Sequence, residues 1–365
     1  MNSFKGKTVL ITGNTGFKGS WLSIWLVHLG AEVFGASINT LSGTSNFSES
    51  HIKDVISDHR IDIRDAQAVK SLVQKVQPDY VFHLAAQALV RLSYESPLET
   101  ISTNAIGTAN ILDALRFLNK KVVAIMITSD KAYDNVEWLW GYKETDRLGG
   151  KDPYSASKGM AELAIRTYVE SFFNKSDSNV RLGITRAGNV IGGGDWAVDR
   201  IVPDCMVAWS KNRIVEIRSP NATRPWQHVL EPLSGYLALA VNLSTNDKYH
   251  GEAYNFGPSS DQNFPVSELI NEMSKYWDRV KWNKVANNKN LVHEAGLLKL
   301  NCDKAAFDLN WHPTLHFHET VEMTVDWYRQ YYQYQDGSMF EYTLDQIKTY
   351  SKTAKLRNIS WASDD

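Results

Sequence analysis

The sequence predicts an α/β fold: a doubly wound parallel sheet joined to a smaller, interleaved C-terminal α/β substrate domain. Short β-branched runs alternate with longer amphipathic stretches through the first half, in the order βαβαβαβ. The runs at 7–12 and 121–128 are apolar almost throughout, which indicates strands that are buried on both faces of the sheet. After about residue 190 the periodicity loosens, and no internal repeat or free linker separates the two halves.

The individual elements follow from local patterns. Residues 20–29 carry Trp, Leu and Ile at helical spacing directly behind the first strand. A second helix should end at residue 76, because Gln77 precedes a proline, which disfavours helical backbone in the residue before it. The predicted strands are 7–12, 32–37, 79–84 and 121–128, and the predicted helices are 20–29, 66–76, 98–118, 233–242 and 265–277.

Composition excludes several classes of protein. The chain has 365 residues, enough for two domains of roughly 100–200 residues each. Lys and Arg number 39 against 41 Asp and Glu, a net charge of −2 that offers no basic field to a nucleic acid. No apolar run approaches the ~20 residues that span a bilayer, and the first residues carry no signal-peptide pattern. We therefore expect a cytoplasmic enzyme that binds neither nucleic acid nor membrane.

Metal ligation is not expected either. Cys205 and Cys302 are the only cysteines, too few for a disulfide framework or a cysteine-rich zinc site. His312, His316 and His318 cluster near the C-terminus without an obvious set of carboxylate or cysteine partners. A loop or strand edge is the simpler interpretation of these histidines.

A glycine-rich loop, Thr-Gly-Asn-Thr-Gly-Phe-Lys-Gly over residues 12–19, joins the first strand to the first helix. Gly13 permits a tight turn, Gly16 lets the backbone approach a pyrophosphate, and Gly19 allows close packing of helix on strand. The free amides and the positive dipole end of the helix would hold the phosphates. The loop predicts dinucleotide binding because it follows the first strand of a βαβ series.

A second constellation consists of Tyr154, Lys158 and, upstream at the end of a strand, Ser129. Tyr154 and Lys158 are four residues apart, so on a helix they share one face. A nearby ammonium stabilises a phenolate, so we expect Lys158 to lower the pKa of Tyr154. Tyr154 would then act as a general base on a hydroxyl that Ser129 also contacts.

These motifs resemble the extended short-chain dehydrogenase/reductase superfamily over nearly the whole chain, as do segments 62–65, 83–87 and 103–108. The resemblance implies a Rossmann-type fold, NAD as cofactor and a C-terminal domain for a nucleotide sugar. It further implies that the cofactor-binding residues are Gly13, Thr15, Gly16, Phe17, Gly19, Asp62, Ile63, Leu84, Ala85, Ala86, Tyr154 and Lys158.

The resemblance also implies how the chain is divided. Residues 1–190, with returning segments near 225–260, would bind NAD, residues 191–345 would bind the nucleotide sugar, and residues 346–365 would form a C-terminal tail. Members of the superfamily commonly dimerise through two helices, one of which carries the active-site tyrosine. A homodimer or a dimer of dimers is therefore expected.

The residue after the active-site serine indicates the reaction. Nucleotide-sugar 4,6-dehydratases carry an acid at this position, where 4-epimerases usually do not, and here Asp130 follows Ser129. The resemblance implies that Tyr154 takes the C4 hydroxyl proton while hydride passes to NAD. Asp130 would then protonate the leaving C6 hydroxyl, and hydride would return to C6.

Lys131 departs from the Asp-Glu pair of most of these dehydratases, in which the glutamate is the C5 base. A lysine can be that base only when neutral, which requires desolvation or a nearby cation such as Lys158; otherwise it stabilises the enolate. Lys131 and the segments 148–154, 186–196 and 224–229 resemble the branch that acts on CDP-glucose. The resemblance thus implies a lyase that makes CDP-4-dehydro-6-deoxyglucose for deoxysugar and O-antigen-type polysaccharide biosynthesis.

Gln87, Asn189, Arg200, Arg224 and Trp226 are expected to contact the substrate. By resemblance Asn189 and Arg224 hold its diphosphate, and the guanidinium fork of Arg224 suits phosphate oxygens. An alternative for Asn189 is that it stabilises its own loop, and the segment around Arg200 could simply cap a helix. Trp226 is the best candidate for stacking on the base, although core packing is the commoner role of a tryptophan.

The end of the second predicted strand lacks the acidic residue that binds the adenosine ribose in many Rossmann folds. Only Ser37 and Asn39 are offered there, and no arginine follows to hold a 2′-phosphate. Since hydride returns within one catalytic cycle, NAD remains the expected cofactor.

Two other functions stay open. A 4-epimerase of the same fold would have no use for an acid at C6, so Asp130 counts against it. A non-catalytic NAD sensor would have no use for a tuned phenol, so Ser129, Tyr154 and Lys158 count against that.

Overall fold

The computed structural model describes residues 2–39, 43–285, 297–334 and 337–362. Its strands are β1 (Thr8–Thr12), β2 (Glu32–Ser37), β3 (Ser57–Arg60), β4 (Tyr80–His83), β5 (Val122–Ile127), β6 (Val180–Arg186), β7 (Val190–Ile191), β8 (Val215–Ile217), β9 (Thr223–Arg224), β10 (Gln227–His228), β11 (Ala253–Asn255), β12 (Phe264–Pro265) and β13 (Trp282–Lys284).

The helices are α1 (Phe17–His28), α2 (Asn46–Glu49), α3 (Ala66–Val76), α4 (Val90–Glu95), α5 (Pro97–Ile101), α6 (Gly107–Leu115), α7 (Pro153–Tyr168), α8 (Ile201–Ser210), α9 (Leu230–Thr245), α10 (Val266–Met273), α11 (Asp303–Leu309), α12 (Phe317–Arg329) and α13 (Met339–Leu356). A wider helical turn over Ser102–Ile106 joins α5 to α6. In the part of the chain that the structure describes, no helix is long and apolar enough to cross a membrane.

Seven strands form one parallel sheet in the order β11-β6-β5-β4-β1-β2-β3. Alternate strand residues enter two separate cores: Val9 and Ile11 pack with α1 and α9, whereas Leu10 packs with α3, α6 and α7. Helices therefore cover both faces of the sheet, and the predicted doubly wound Rossmann-type fold is confirmed. The three small two-stranded sheets β7-β10, β8-β13 and β9-β12 lie outside it.

The predicted strands and helices are present to within a few residues, but three strands of the central sheet have no counterpart among the sequence predictions. β3 reads Ser-Asp-His-Arg and lies at the sheet edge, where polar residues are favoured because they discourage pairing with another chain. β11 has only three residues. β6 begins and ends next to charge, with Arg181 paired to Asp247 and Arg186 buried, so its apolar pattern is interrupted.

The segment 346–365, expected as a tail, contributes the second half of α13 and a helical turn at Ser360–Ala362 within its described residues. Tyr350 and Trp361 each lie 5.9 Å from Trp25 of α1, between ring centroids. This part of the chain is packed onto α1 through aromatic contacts.

Candidate active site

One crevice of about 1560 Å³ runs along the carboxyl ends of the parallel strands. That volume exceeds the ~300–1,000 Å³ typical for one small ligand, so the crevice can hold a dinucleotide and a nucleotide sugar together. Every site residue proposed from the sequence lines it, namely Gly13, Thr15, Gly16, Phe17, Gly19, Asp62, Ile63, Leu84, Ala85, Ala86, Gln87, Ser129, Asp130, Lys131, Tyr154, Lys158, Asn189, Arg200, Arg224 and Trp226.

The glycine loop is packed too closely for side chains. Gly13 has a φ of +78°, and a Cβ there would lie 2.7 Å from the backbone nitrogen of Ala85. A Cβ on Gly19 would lie 2.1 Å from the carbonyl oxygen of Gly13. Gly16 is the N-cap residue of α1 and has no side chain to cap it, and the first turn carries no acid, so the amides and the helix dipole are available to an anion.

A buried asparagine supports this loop from behind. The Asn14 side chain donates to Asp58 on β3 (2.9 Å) and accepts from the hydroxyl of Ser37 (2.8 Å). The same hydroxyl accepts from the backbone N–H of Thr15 at 3.3 Å. Asp58 was missed by the sequence analysis, because only the register of β3 beside β2 brings it to the loop.

Asp62 and Ile63 lie at the far end of the crevice, and Asp62 is paired with Arg64. The side-chain hydrogen bond from Arg64 lowers the pKa of Asp62, which keeps this carboxylate charged. It supplies an acidic group at the end of the crevice that is remote from Tyr154.

The loop after β4 is held by a polar network. His83 contacts Thr12 (2.7 Å) and Thr108 (3.0 Å), and burial lowers its pKa to about 3. Asn104 accepts from the backbone N–H of Gln87 at 2.8 Å and donates to Ser157 of α7 at 2.8 Å. The Gln87 amide bonds within its own segment of chain, donating to Thr100 at 2.9 Å, so in this structure it serves the loop.

The Tyr-Lys pair lies on α7, whose first turn is capped by Asp152. Tyr154 and Lys158 are both buried, and Ser129 forms a hydrogen bond with the phenol. Burial raises the pKa of Tyr154 to about 12, against the opposing effect of that bond, and burial lowers the pKa of Lys158 to about 8. The pKa of the phenol is thus raised in the protein, where a lowered value was expected, since desolvation of the phenolate dominates.

Asp130 and Lys131 form a helical turn directly after Ser129. The Ser129 hydroxyl donates to Asp130 at 2.9 Å, and the carboxylate lies so close to Gly188 that a Cβ there would be 1.8 Å from it. Asp130 is buried, whereas Lys131 is exposed, with its ammonium 5.9 Å from the ring centroid of Tyr154. An acid, a phenol and an ammonium therefore surround one point of the crevice.

Loops position most of the residues that are expected to contact the substrate. Arg200 is paired with Asp195 at 2.7 Å, and the charge and hydrogen bond of Asp195 raise the pKa of Arg200. Asn189 has a φ of +54°, a backbone conformation that asparagine tolerates better than most residues. The Trp226 indole is largely buried in the core and donates to the carbonyl of Phe264 at 3.1 Å, so the core-packing interpretation holds for most of this side chain.

Sequence reasoning missed three further features of the crevice. Lys18 lies inside the glycine motif, where only the glycines were interpreted, and its side chain lines the cavity. Arg91 and Asp199 form a 2.8 Å ion pair between α4 and the loop before α8. β8 contributes a wall at Val215–Ile217, with no motif to mark it. Within the described residues, no group of three His, Cys, Asp or Glu is arranged to hold a metal.

The chain is similar to known proteins along most of its length. A family model described as GDP-mannose 4,6 dehydratase matches residues 10–324. The CDP-glucose 4,6-dehydratase of Salmonella typhimurium is 44% identical over 339 residues, covering 92% of this chain and 94% of that protein. The GDP-mannose 4,6-dehydratase of Vibrio cholerae is 34% identical over 174 residues, 46% of each protein.

Solved structures share the fold. The UDP-glucose 4-epimerase of Brucella ovis in complex with NAD superposes with a TM-score of 0.75 at 21% identity, covering 88% of this chain and 98% of that one. At 21% identity the similarity shows a shared fold. The chemistry must be inferred from the residues that line the crevice.

Proposed function

The chain belongs to the nucleotide-sugar dehydratase family described as GDP-mannose 4,6 dehydratase, and from that premise we propose that it converts CDP-glucose to CDP-4-dehydro-6-deoxyglucose and water. The observation that carries the proposal is the convergence of Ser129, Asp130 and Tyr154 on one point of a crevice that also contains the glycine loop. The 44% identity to a CDP-glucose 4,6-dehydratase supports the choice of nucleotide.

The cofactor is NAD, which when bound accepts a hydride from C4 of the sugar and later returns it to C6. The fit is supported by the glycine loop, which leaves no room for a Cβ at Gly13 or Gly19, and by the uncapped first turn of α1. Asp62 lies at the far end, where an adenosine would be held. Lys158 would donate to the ribose next to the reacting ring.

Tyr154 is the proposed base for the C4 hydroxyl. Its hydrogen bond to Ser129 places both hydroxyls where they can contact the same substrate oxygen. Burial opposes formation of the phenolate, so Tyr154 loses its proton readily only when a positive charge nearby stabilises the phenolate. The protein group proposed to supply that charge is Lys158, four residues further along the same helix.

Asp130 is the proposed acid for the C6 hydroxyl. The carboxyl is buried between Ser129 and Gly188, so its position relative to Tyr154 is restricted. Lys131, at the exposed rim, is the proposed group that acts on the C5 side, either as base when neutral or as a cation that stabilises the enolate. Arg200, Arg224 and Asn189 would hold the diphosphate, since all three line the crevice.

An epimerase is the less favoured alternative, because a 4-epimerase needs no acid at C6 and the 4,6-dehydratase relative matches at far higher identity than the UDP-glucose 4-epimerase of Mycoplasma pneumoniae, at 23%. An NAD sensor is disfavoured by the intact Ser129, Tyr154 and Lys158.

We also propose that the enzyme is cytoplasmic, serves deoxysugar and lipopolysaccharide biosynthesis, and is a homodimer or dimer of dimers. Support for the dimer comes from apolar side chains on α5 to α7: Leu98 is 82% exposed and Leu163 54% exposed. Large exposed apolar patches mark interfaces. Light scattering of the wild type and of Leu163→Glu tests this; a monomeric wild type would contradict it.

The enzymatic proposal is tested by incubating the protein with catalytic NAD and, separately, CDP-glucose, dTDP-glucose, UDP-glucose and GDP-mannose. We expect loss of one water from CDP-glucose by mass, with the alkaline absorbance of a 4-keto-6-deoxy sugar, and none with Tyr154→Phe. A product of unchanged mass that is the C4 epimer would establish the epimerase instead. Binding of NAD without turnover of any sugar would support the sensor.

A further inference from the structure

Lys18 is a cation inside the crevice to which the mechanism above assigns no role. It is the second residue of α1, and it lines the crevice beside the glycine loop. Its ammonium donates to the hydroxyl of Tyr236 on α9 at 3.5 Å, a long contact that leaves donor capacity for another group. Tyr236 itself is fully buried, so it is a fixed point of attachment.

The ammonium reaches the reacting end of the crevice from the opposite side to the catalytic tyrosine. α1 and α9 pack on one face of the sheet, whereas α7, with Tyr154 and Lys158, packs on the other. Lys18, Asp130, Arg200 and Lys158 nevertheless all line the same crevice, and the three other charges are close enough to Lys18 to influence its ammonium. A ligand bound in this part of the crevice would have Lys18 on one side and Tyr154 on the other.

Under the proposed function, on which this inference rests, that position belongs to the nicotinamide ring, because the pyrophosphate would lie at α1 and the sugar at Tyr154. The ring of NAD⁺ carries one positive charge and becomes neutral when it takes up a hydride. A fixed ammonium nearby repels the oxidised ring and not the reduced one.

We propose that Lys18 shifts the redox equilibrium of the bound cofactor toward its reduced form: its ammonium makes the protein bind NADH more tightly than NAD⁺. The two electrons and the hydrogen leave C4 of the sugar, are held on the ring while water is eliminated, and return to C6, so no external oxidant is needed. A bias toward the reduced ring assists the first transfer. The carboxylate of Asp130 partly offsets the ammonium, whereas Arg200 and Lys158 add to the positive field.

The bias should depend on pH. Burial lowers the pKa of Lys18 to about 8, with Asp130 opposing this and Arg200 and Lys158 adding to it; the other group in contact is the Tyr236 hydroxyl. Lys18 is therefore mainly charged at pH 7 and mainly neutral at pH 9. Burial lowers the pKa of Lys158 to about 8 as well, so the two ammonium groups lose their charge over the same range. The preference for NADH should therefore weaken as the pH rises, and it should weaken more in the wild type than in Lys18→Met.

The test is the ratio of dissociation constants for NAD⁺ and NADH, measured by titration calorimetry on the intact protein without sugar. We expect Lys18→Met to reduce the preference for NADH by about ten-fold at pH 7, equivalent to about 1.4 kcal/mol. Lys18→Arg should retain it. Lys151→Met, which removes an exposed ammonium from the rim of the same crevice, is the matched control and should leave it unchanged.

Each other outcome overturns the proposal. An unchanged ratio in Lys18→Met, or equal weakening of both dinucleotides, would show that Lys18 is only a binding or packing residue. A ratio in the wild type that is constant between pH 7 and 9 would also contradict it. Failure of the wild type to bind either dinucleotide would refute the proposed function as well, and thermal unfolding of each variant identifies any that do not fold.

Discussion

Arg186 at the end of β6 and Glu162 in the middle of α7 form an ion pair whose side chains are 2% and 1% exposed. Nε of Arg186 donates to Glu162 at 2.7 Å, and the same carboxylate oxygen accepts from the hydroxyl of Thr128 at 2.6 Å. A second arm of the guanidinium donates to Tyr133 at 2.7 Å. The pair therefore joins the end of the sheet to the helix that carries Tyr154.

Glu162→Gln should destabilise the protein by about 3–5 kcal/mol, because it leaves the Arg186 guanidinium buried without its countercharge. Urea unfolding measures the loss, and turnover should fall as α7 shifts. Asp113→Asn, which breaks the exposed pair of Asp113 and Arg116, is the control and should cost less than about 1 kcal/mol. Equal effects of the two substitutions would contradict the structural role given to the buried pair.

Asp130→Asn should separate oxidation from elimination. The asparagine carbonyl can still accept the bond from Ser129 that Asp130 now accepts at 2.9 Å, so Tyr154 keeps its surroundings. Without a proton to give to C6, dehydration of CDP-glucose should slow by roughly 10²–10⁴-fold. Stopped-flow absorbance should show reduced nicotinamide accumulating; dehydration at the wild-type rate would remove Asp130 from the mechanism.

Gly188→Ala should reproduce that defect without changing the acid itself. A Cβ at Gly188 would lie 1.8 Å from the Asp130 carboxylate, so this side chain must move away from the substrate. Dehydration should fall while NAD affinity stays unchanged. In Gly159→Ala the nearest atom to the new Cβ lies at 3.6 Å, and this control within α7 should gain about 0.5–1 kcal/mol of stability and keep its activity.

The central sheet could be predicted because its buried strands have a recognisable sequence pattern: β1 and β5 are apolar on both faces, and the glycine loop follows β1. Local sequence patterns do not show which residues that are distant in sequence contact each other in the fold. Asp58 supports Asn14 only because β3 pairs with β2, and Arg186 meets Glu162 only because α7 packs across β6. These contacts become visible only in the fold.

The features of the site that determine its chemistry are likewise of two kinds, those that the sequence predicts and those that depend on the fold. The spacing of Tyr154 and Lys158 predicts their shared helix face, but the pKa of the phenol depends on burial, which no motif records. The sequence around Trp226 allows both base stacking and core packing, and its burial against Phe264 depends on a contact between residues distant in sequence.

Two buried histidines make a sharp prediction for stability against pH. Burial lowers the pKa of His83 and of His228 to about 3, well below the ~6.5 of an unfolded chain. Between these values the unfolded chain binds protons that the folded protein does not, so each histidine's contribution is present above pH ~6.5 and is lost as the pH falls. Glu231, whose pKa burial raises to about 7, acts in the opposite direction, so total stability alone cannot isolate the histidines.

The difference between the wild type and His228→Phe does isolate one of them. The ring of His228 packs edge-on against Trp21 at 5.6 Å, and an apolar ring can keep that contact. From pH 7 to pH 5 the wild type should lose about 2 kcal/mol more stability than the variant, since one unit of differential proton binding is worth about 1.4 kcal/mol per pH unit. Urea unfolding at the two pH values measures this. The exposed His312→Gln serves as the control. If His228→Phe and the wild type lost stability in parallel, the ring of His228 would have to accept a proton in the folded protein, and its apolar surroundings would have to open to water to allow it.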